Sequence, residues 1–253
     1  MSAARPHGNP RYAGTPWLSW FCVWQVDSVL AVSKRDLEVL RELIESCPGL
    51  HAAHTLLPAD AHDPYYPAPP GSPSLIVQLE FADLAALEEN LQPNRHLAPL
   101  ADVDFLKSLA AAWPTQQAML SRRYPVADPQ IRKPAAPYLS YWVEYAGPAD
   151  DPNAWHSHYN RHHPQLLAGF PGIRAIEVYT PAIVVCGLPL PERPCLQRNK
   201  TVFDDVAAFN AAMKSPVREA LREDFQQLPA FRGAALHFPF STRSTRPAQP
   251  APA

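Results

Sequence analysis

The stretch Trp155–Tyr179, WHSHYNRHHPQLLAGFPGIRAIEVY, carries four of the chain's ten histidines in its first nine residues, then an apolar helix end, a Pro-Gly turn and a strand-like run. At helical spacing Trp155, His158, Tyr159, His162, His163, Leu166 and Leu167 recur at i, i+3 and i+4 and share one stripe, half apolar and half imidazole. Asp150, Asp151 or Asn153 can cap its start, Gly169 is a stop signal, and Pro171-Gly172 turns the chain into a strand over 173–180. A helix buries such a stripe, and buried imidazoles need partners. The stripe is therefore either a site or a satisfied polar core.

The turn at its end has a counterpart far upstream. Phe170-Pro171-Gly172-Ile173 answers Cys47-Pro48-Gly49-Leu50, Tyr138-Leu139-Ser140-Tyr141 answers Trp17-Leu18-Ser19-Trp20, and Phe203-Asp204-Asp205 answers Phe81-Ala82-Asp83, at offsets of 123, 121 and 122 residues. Three landmarks nearly in step argue for an internal duplication. In the first half, periodicity predicts a strand over 17–26, a helix over 34–46, strands over 51–57 and 75–81, and a helix opened at Asp83. A longer helical region over 97–113 and a closing strand over 115–124 follow. The second half repeats the order, with strands over 138–145, 173–180 and 196–203 and a last one around His237.

This β-α-β-β-α-β order is that of the ferredoxin-like split βαβ unit. The expected fold class is α+β: two tandem ferredoxin-like βαββαβ units, over 16–125 and 137–241, with flexible tails at 1–15 and 242–253. Each antiparallel sheet carries helices on one face and leaves the other bare. The two sheets are therefore expected to pack face to face as an intramolecular dimeric α+β barrel.

Composition narrows the function classes. With 47% hydrophobic residues, 18% charged residues and a formal net charge of −2, the chain has no electrostatic footprint for nucleic acid or an anionic membrane. No apolar run approaches a membrane span and the first residues lack an apolar leader core, so the default location is cytoplasmic. Cys22, Cys47, Cys186 and Cys195 show no metal-finger or redox spacing and read as structural thiols. The 31 prolines cluster in connectors such as HDPYYPAPPGSP and PVADPQIRKPAAP.

The run from Trp155 to Gly172, with its aromatic-Tyr pair, His163 four residues after Tyr159, and Pro171-Gly172 before an apolar strand, resembles the EthD-like branch of the dimeric α+β barrel superfamily. Pro164 directly follows His163, where that family usually leaves one residue between. The motif lies only in the second half: eight residues before Pro48 stands Leu40, which makes the first half a degenerate scaffold copy. The resemblance implies a pocket between sheet and helices that serves cofactor-independent chemistry on small ring-containing oxygenated compounds. Relatives include cyclases, dehydratases, decarboxylases, lactone isomerases and oxygenases, and some in the wider superfamily bind haem.

The residues suit acid–base work. A neutral imidazole is the natural proton carrier near pH 7, and His163 is the first choice as base or acid. Tyr159, one turn earlier on the same face, and His158 complete the catalytic set as groups that polarise or orient oxygen, with His162 nearer the rim. Candidate substrate-binding residues are Trp155 and Tyr141 as aromatic walls, Glu144 as a tuned acid or orienter, Arg198 as a carboxylate clamp, and His237. Tyr138, Ser140, Trp142 and Glu144 alternate with Leu139, Tyr141, Val143 and Tyr145, and which row meets the helices stays open. His51, His54, His62 and His96 default to surface or packing roles.

The sequence thus reads as a cofactor-independent lyase or isomerase acting on a small aromatic or cyclic compound by elimination, retro-aldol cleavage, decarboxylation or isomerisation. It calls for no cofactor, no metal, no nucleic acid and no membrane, and leaves homodimerisation open. The alternatives are a non-catalytic small-molecule binding protein and a metal-dependent hydrolase or oxygenase. The last would use His158 and His162, spaced as two ligands on one helical face, with Glu144 or His237 as the third.

Overall fold

Alternation along eight strands decides how the two halves meet. In the computed structural model, which describes residues 17–66, 71–133 and 136–247, the strands are β1 (Trp17–Trp24), β2 (Leu50–Pro58), β3 (Leu75–Phe81), β4 (Pro114–Tyr124), β5 (Tyr138–Tyr145), β6 (Ile173–Pro181), β7 (Gln197–Phe203) and β8 (Ala235–Thr245). They close into one barrel in the order β1-β3-β2-β8-β5-β7-β6-β4, and every pairing is antiparallel.

This corrects the expected pair of ferredoxin-like sheets packed face to face. The first half contributes four consecutive strands and the second half four more. Their outer strands hydrogen-bond to each other, β2 to β8 from Ala53–Thr245 to Pro58–Phe240, and β4 to β6 from Met119–Pro181 to Tyr124–Ile176. Covering two bare faces would have left four edge strands with unpaired backbone groups, whereas closure removes every edge. The barrel closes within a single chain.

Among the described residues five helices lie outside the barrel: α1 (Lys34–Glu45), α2 (Leu84–Asn90), α3 (Pro152–Leu167), α4 (Val206–Met213) and α5 (Val217–Gln226). Side chains cap four of them: Ser33 accepts from the Asp36 amide, Asp83 from Ala85, Asp151 from Ala154 and Asp205 from Ala208. The helix expected over 97–113 is instead two short 3₁₀ turns, Ala98–Ala101 and Lys107–Leu109. Pro99 at the start of the first turn cannot donate to a longer helical ladder. The two Pro-Gly turns behave alike. Gly49 and Gly172 take φ of 70° and 73°, and each is followed by a register shift, at Leu50/Ala52 and Ile173/Ala175.

The leader expected over 1–15 and residues 248–253 of the expected tail lie outside the described residues, while β8 runs on to Thr245. All four cysteines are free, and burial pushes the Cys47 thiol up to about 12 and Cys195 up to about 11. No helix among the described residues is long and apolar enough to cross a membrane.

Candidate functional site on the second helix-covered face

Three packed regions divide the molecule. Inside the barrel, Phe21, Val23, Leu56, Ile76, Met119, Trp142, Tyr179, Phe238 and Phe240 form an apolar middle. Outside, the first half buries Trp20, Cys22 and Trp24 of β1 and Leu75, Val77, Leu79 and Phe81 of β3 beneath Leu40, Ile44 and Leu87. The second half buries Tyr141 and Tyr145 of β5 beneath Trp155 and Tyr159 of α3, and the matching row of β7 is Gln197, Asn199, Thr201 and Phe203. A polar strand row under an aromatic helix is costly as mere packing, because each buried polar group needs a partner.

On that face α3 turns inward Trp155, Tyr159, His163 and Leu167, one residue per turn, and leaves His162 exposed. His163 Nδ1 donates to Asp224 Oδ2 of α5 at 2.7 Å. An ionised carboxylate can only accept, so the proton sits on Nδ1 and the Nε2 lone pair is free to take another. Burial pulls the His163 pKa below the ordinary histidine value against the pull of Asp224, while burial opposes and the hydrogen bond from His163 lowers that of Asp224. At neutral pH the pair is therefore imidazole and carboxylate. His158 Nε2 lies 3.4 Å from the other Asp224 oxygen without hydrogen-bond alignment.

Tyr159 packs its ring 4.5 Å from His163 and 5.4 Å from Trp155. Its hydroxyl accepts from Asn199 Nδ2 at 2.6 Å. Burial raises Tyr159 and Tyr145 well above the ordinary phenol range, so both stay protonated. Close by, Tyr141 donates to Asp63 Oδ2, and with its one proton committed its oxygen accepts from His237 Nδ1 at 2.8 Å. Arg218 Nη2 of α5 donates to the same Asp63 oxygen at 2.7 Å. Tyr66 stacks on His237 with ring centroids 3.9 Å apart, and the Arg218 guanidinium lies 5.0 Å from the Tyr66 ring centre. Asp63 and Tyr66 belong to the β2–β3 connection, so a segment of the first half covers the second half's face.

Among the described residues, seven buried side-chain polar atoms have no hydrogen-bond partner, and five belong to this face, its helices and the α4–α5 turn: Trp155 Nε1, His158 Nε2, Thr201 Oγ1, Ser215 Oγ and Arg218 Nε. Such atoms mark a place where an oxygenated ligand can supply what the protein does not.

The structure thus gathers His163, Tyr159, His158, Trp155, Tyr141 and His237 on one side of the sheet. Glu144 and Arg198 are on the other. Arg198 Nε donates to Glu144 Oε1 at 3.0 Å inside the barrel, and Trp142 and Arg193 complete the carboxylate's partners. Strand alternation separates them from His163, so they form a different cluster, and Glu144 cannot serve as a third ligand beside His158 and His162. Among the described residues no group of three or more His, Cys, Asp or Glu side chains is placed to hold a metal ion. Sequence reasoning passed over Asp224, Arg218, Asp63 and Asn199. Asn199 lies in a run of five polar residues, Gln197 to Thr201, so alternation could not single it out.

Solved structures align along nearly the whole chain, two of them with TM-scores above 0.5. An anthrone oxidase-like protein matches with a TM-score of 0.55 at 14% identity, over 90% of this chain and 93% of its own. A protein from Fusobacterium nucleatum subsp. nucleatum provisionally named a monooxygenase matches with a TM-score of 0.56 at 8% identity, over 91% and 94%. An EthD family protein from Bacillus halodurans aligns with 38% of this chain at 24% identity and a TM-score of 0.29. No family model and no curated protein matches the sequence.

Proposed function

We propose that the chain is an enzyme that takes a small aromatic or cyclic oxygenated compound between α3 and the β5–β7 face and begins by removing a proton with His163. The observation that carries this reading is the His163–Asp224 pair at 2.7 Å, which fixes a neutral imidazole with its free lone pair on Nε2. Asp224 holds the ring in one tautomer and stabilises the imidazolium that forms. Tyr159 and Tyr145 are neutral hydroxyls in the same wall, suited to a developing oxyanion, and the aromatic rings exclude water. The shared strand order of the two halves, β4-β1-β3-β2 and β8-β5-β7-β6, supports the view that one doubled unit gave rise to a scaffold half and a working half.

The first step leaves an enolate or phenolate, and its fate defines the reaction class. Loss of a leaving group or of a carbon fragment makes the enzyme a lyase, and reprotonation at another atom makes it an isomerase. The second reading is oxygenation, in which the same carbanion gives electrons to dioxygen, and the oxidase and monooxygenase names of the two whole-chain neighbours favour it.

The test follows deuterium wash-in at the acidic carbon of a panel of aromatic ketones and phenols in D₂O, with an oxygen electrode alongside. The reading expects exchange or turnover that falls by at least ~10²-fold in His163→Gln, the usual contribution of a general base. Oxygen uptake matching turnover selects the oxygenase reading. Equal rates in both proteins would remove His163 from the chemistry.

A further inference from the structure

We propose that the mouth of the barrel is a second binding site, separate from the α3 face, and that it takes a small organic carboxylate. An open pocket of about 1270 Å³ lies where β2 begins and β3, β4 and β8 end, with His51, His54, Glu80, Arg123, Ser244 and Arg246 in its wall. Beneath it the barrel is polar. Arg123 donates to Glu80 at 2.6 Å and reaches Glu177 at 3.4 Å, while Lys200 binds Glu177 at 2.9 Å and donates to Gln78 at 2.8 Å. Two carboxylates thus face two cations, and His54 adds an imidazole 3.5 Å from Glu80.

Exposure decides the sign of the ligand. Glu80 is fully buried behind the cluster, whereas the Arg123 side chain is 33% exposed and His51 and Arg246 are exposed. Glu45, also in the wall, is paired with Arg41 at 2.7 Å. With the Glu45 charge offset by Arg41, the charge left over at the mouth is cationic, on Arg246 and Arg123. Arg123 commits Nε and Nη2 to the two glutamates, which leaves Nη1 without a partner among the described residues and presents a donor to an incoming oxygen. Burying four charges costs more than filling a barrel with hydrocarbon, and a ligand that engages the exposed one gives them a use.

Isothermal titration of the full chain tests this, with benzoate as the carboxylate probe and inorganic phosphate as the anion control. We expect saturable benzoate binding that weakens about fivefold in Arg246→Gln and about tenfold in Arg123→Lys, which keeps the charge against Glu80 and Glu177 but loses the forked donor. Binding should be unchanged in His163→Gln. Should Arg123→Lys fail to fold, Arg246→Gln decides alone. No saturable binding, phosphate binding as tight as benzoate, affinity untouched by Arg246→Gln, or loss in His163→Gln would each overturn the proposal.

Discussion

The two helix-covered faces of the barrel are built on the same strand order and filled with opposite chemistry. Under α1 and α2 the strand rows are Trp20, Cys22, Trp24 and Leu75, Val77, Leu79, Phe81, and the covering β6–β7 connection adds Leu188 and Leu190. Under α3 to α5 they are Leu139, Tyr141, Val143, Tyr145 and Gln197, Asn199, Thr201, Phe203, and the covering β2–β3 connection adds Asp63 and Tyr66. Each half caps the other, once with leucines and once with a carboxylate and a phenol. The first face keeps a few polar groups, such as Gln116, which accepts from Trp20 Nε1 at 3.0 Å, but its central strand β3 is apolar along the whole outer row, so the polar row of β7 is not imposed by the architecture.

The comparison breaks most visibly if the polar cap is cut. Asp63→Ala leaves the Arg218 guanidinium buried beside Tyr141 with no carboxylate, and removal of one partner of a buried pair costs about 3–5 kcal/mol. Urea unfolding should show that loss, whereas Leu188→Ala on the other cap is expected to cost only about 2 kcal/mol through lost apolar packing.

A transplant of the polar chemistry tests the contrast from the dry side. Leu40, 1% exposed, occupies the place in α1 that His163 occupies in α3, and Leu40→His puts an imidazole into hydrocarbon with no Asp224 to receive its proton. The expected cost is about 2–3 kcal/mol, read as a lower denaturant midpoint at unchanged slope.

Acid should discriminate between the faces as well. His237 is depressed to about 3, first by burial and then by Arg218. A histidine depressed by folding is protonated first in the unfolded chain, so its stabilising effect is complete above pH ~6.5 and is lost as pH falls toward the folded value. By pH 5 this amounts to about 2 kcal/mol, and His163, also depressed, adds in the same direction. In His237→Phe the drop in melting temperature between pH 7 and pH 5 should shrink. An unchanged slope would show that His237 is charged or exposed in the folded protein.

Much of this was legible in the sequence, for identifiable reasons. Strands at 75–81 and 138–145 and the helices at 34 and 152 announced themselves through alternation, apolar periodicity and Ser or Asp caps. Spacing put Trp155, Tyr159, His163 and Leu167 on one stripe of α3 but also set His158 there, which the structure leaves half-buried. Closure of the barrel did not, because edge pairing between β2 and β8 or β4 and β6 leaves no mark on which faces are apolar. The same limit hid the sidedness of Glu144 and Arg198. Both sides of β5 and β7 are buried, so their alternating rows gave no polar exterior to orient by. Asp224 and Asp63 were illegible for another reason: each meets its partner across 61 or more residues, Asp224 from an amphipathic helix and Asp63 from a proline-rich connection.

The central claim is that His163 is a neutral base held by Asp224, and a site-resolved ¹⁵N NMR titration of the histidines tests it most directly. The account predicts that His163 shows the Nδ1–H tautomer at pH 7 and titrates below the ordinary value of 6.5. An Nε2–H tautomer, or titration at or above 6.5, would contradict it.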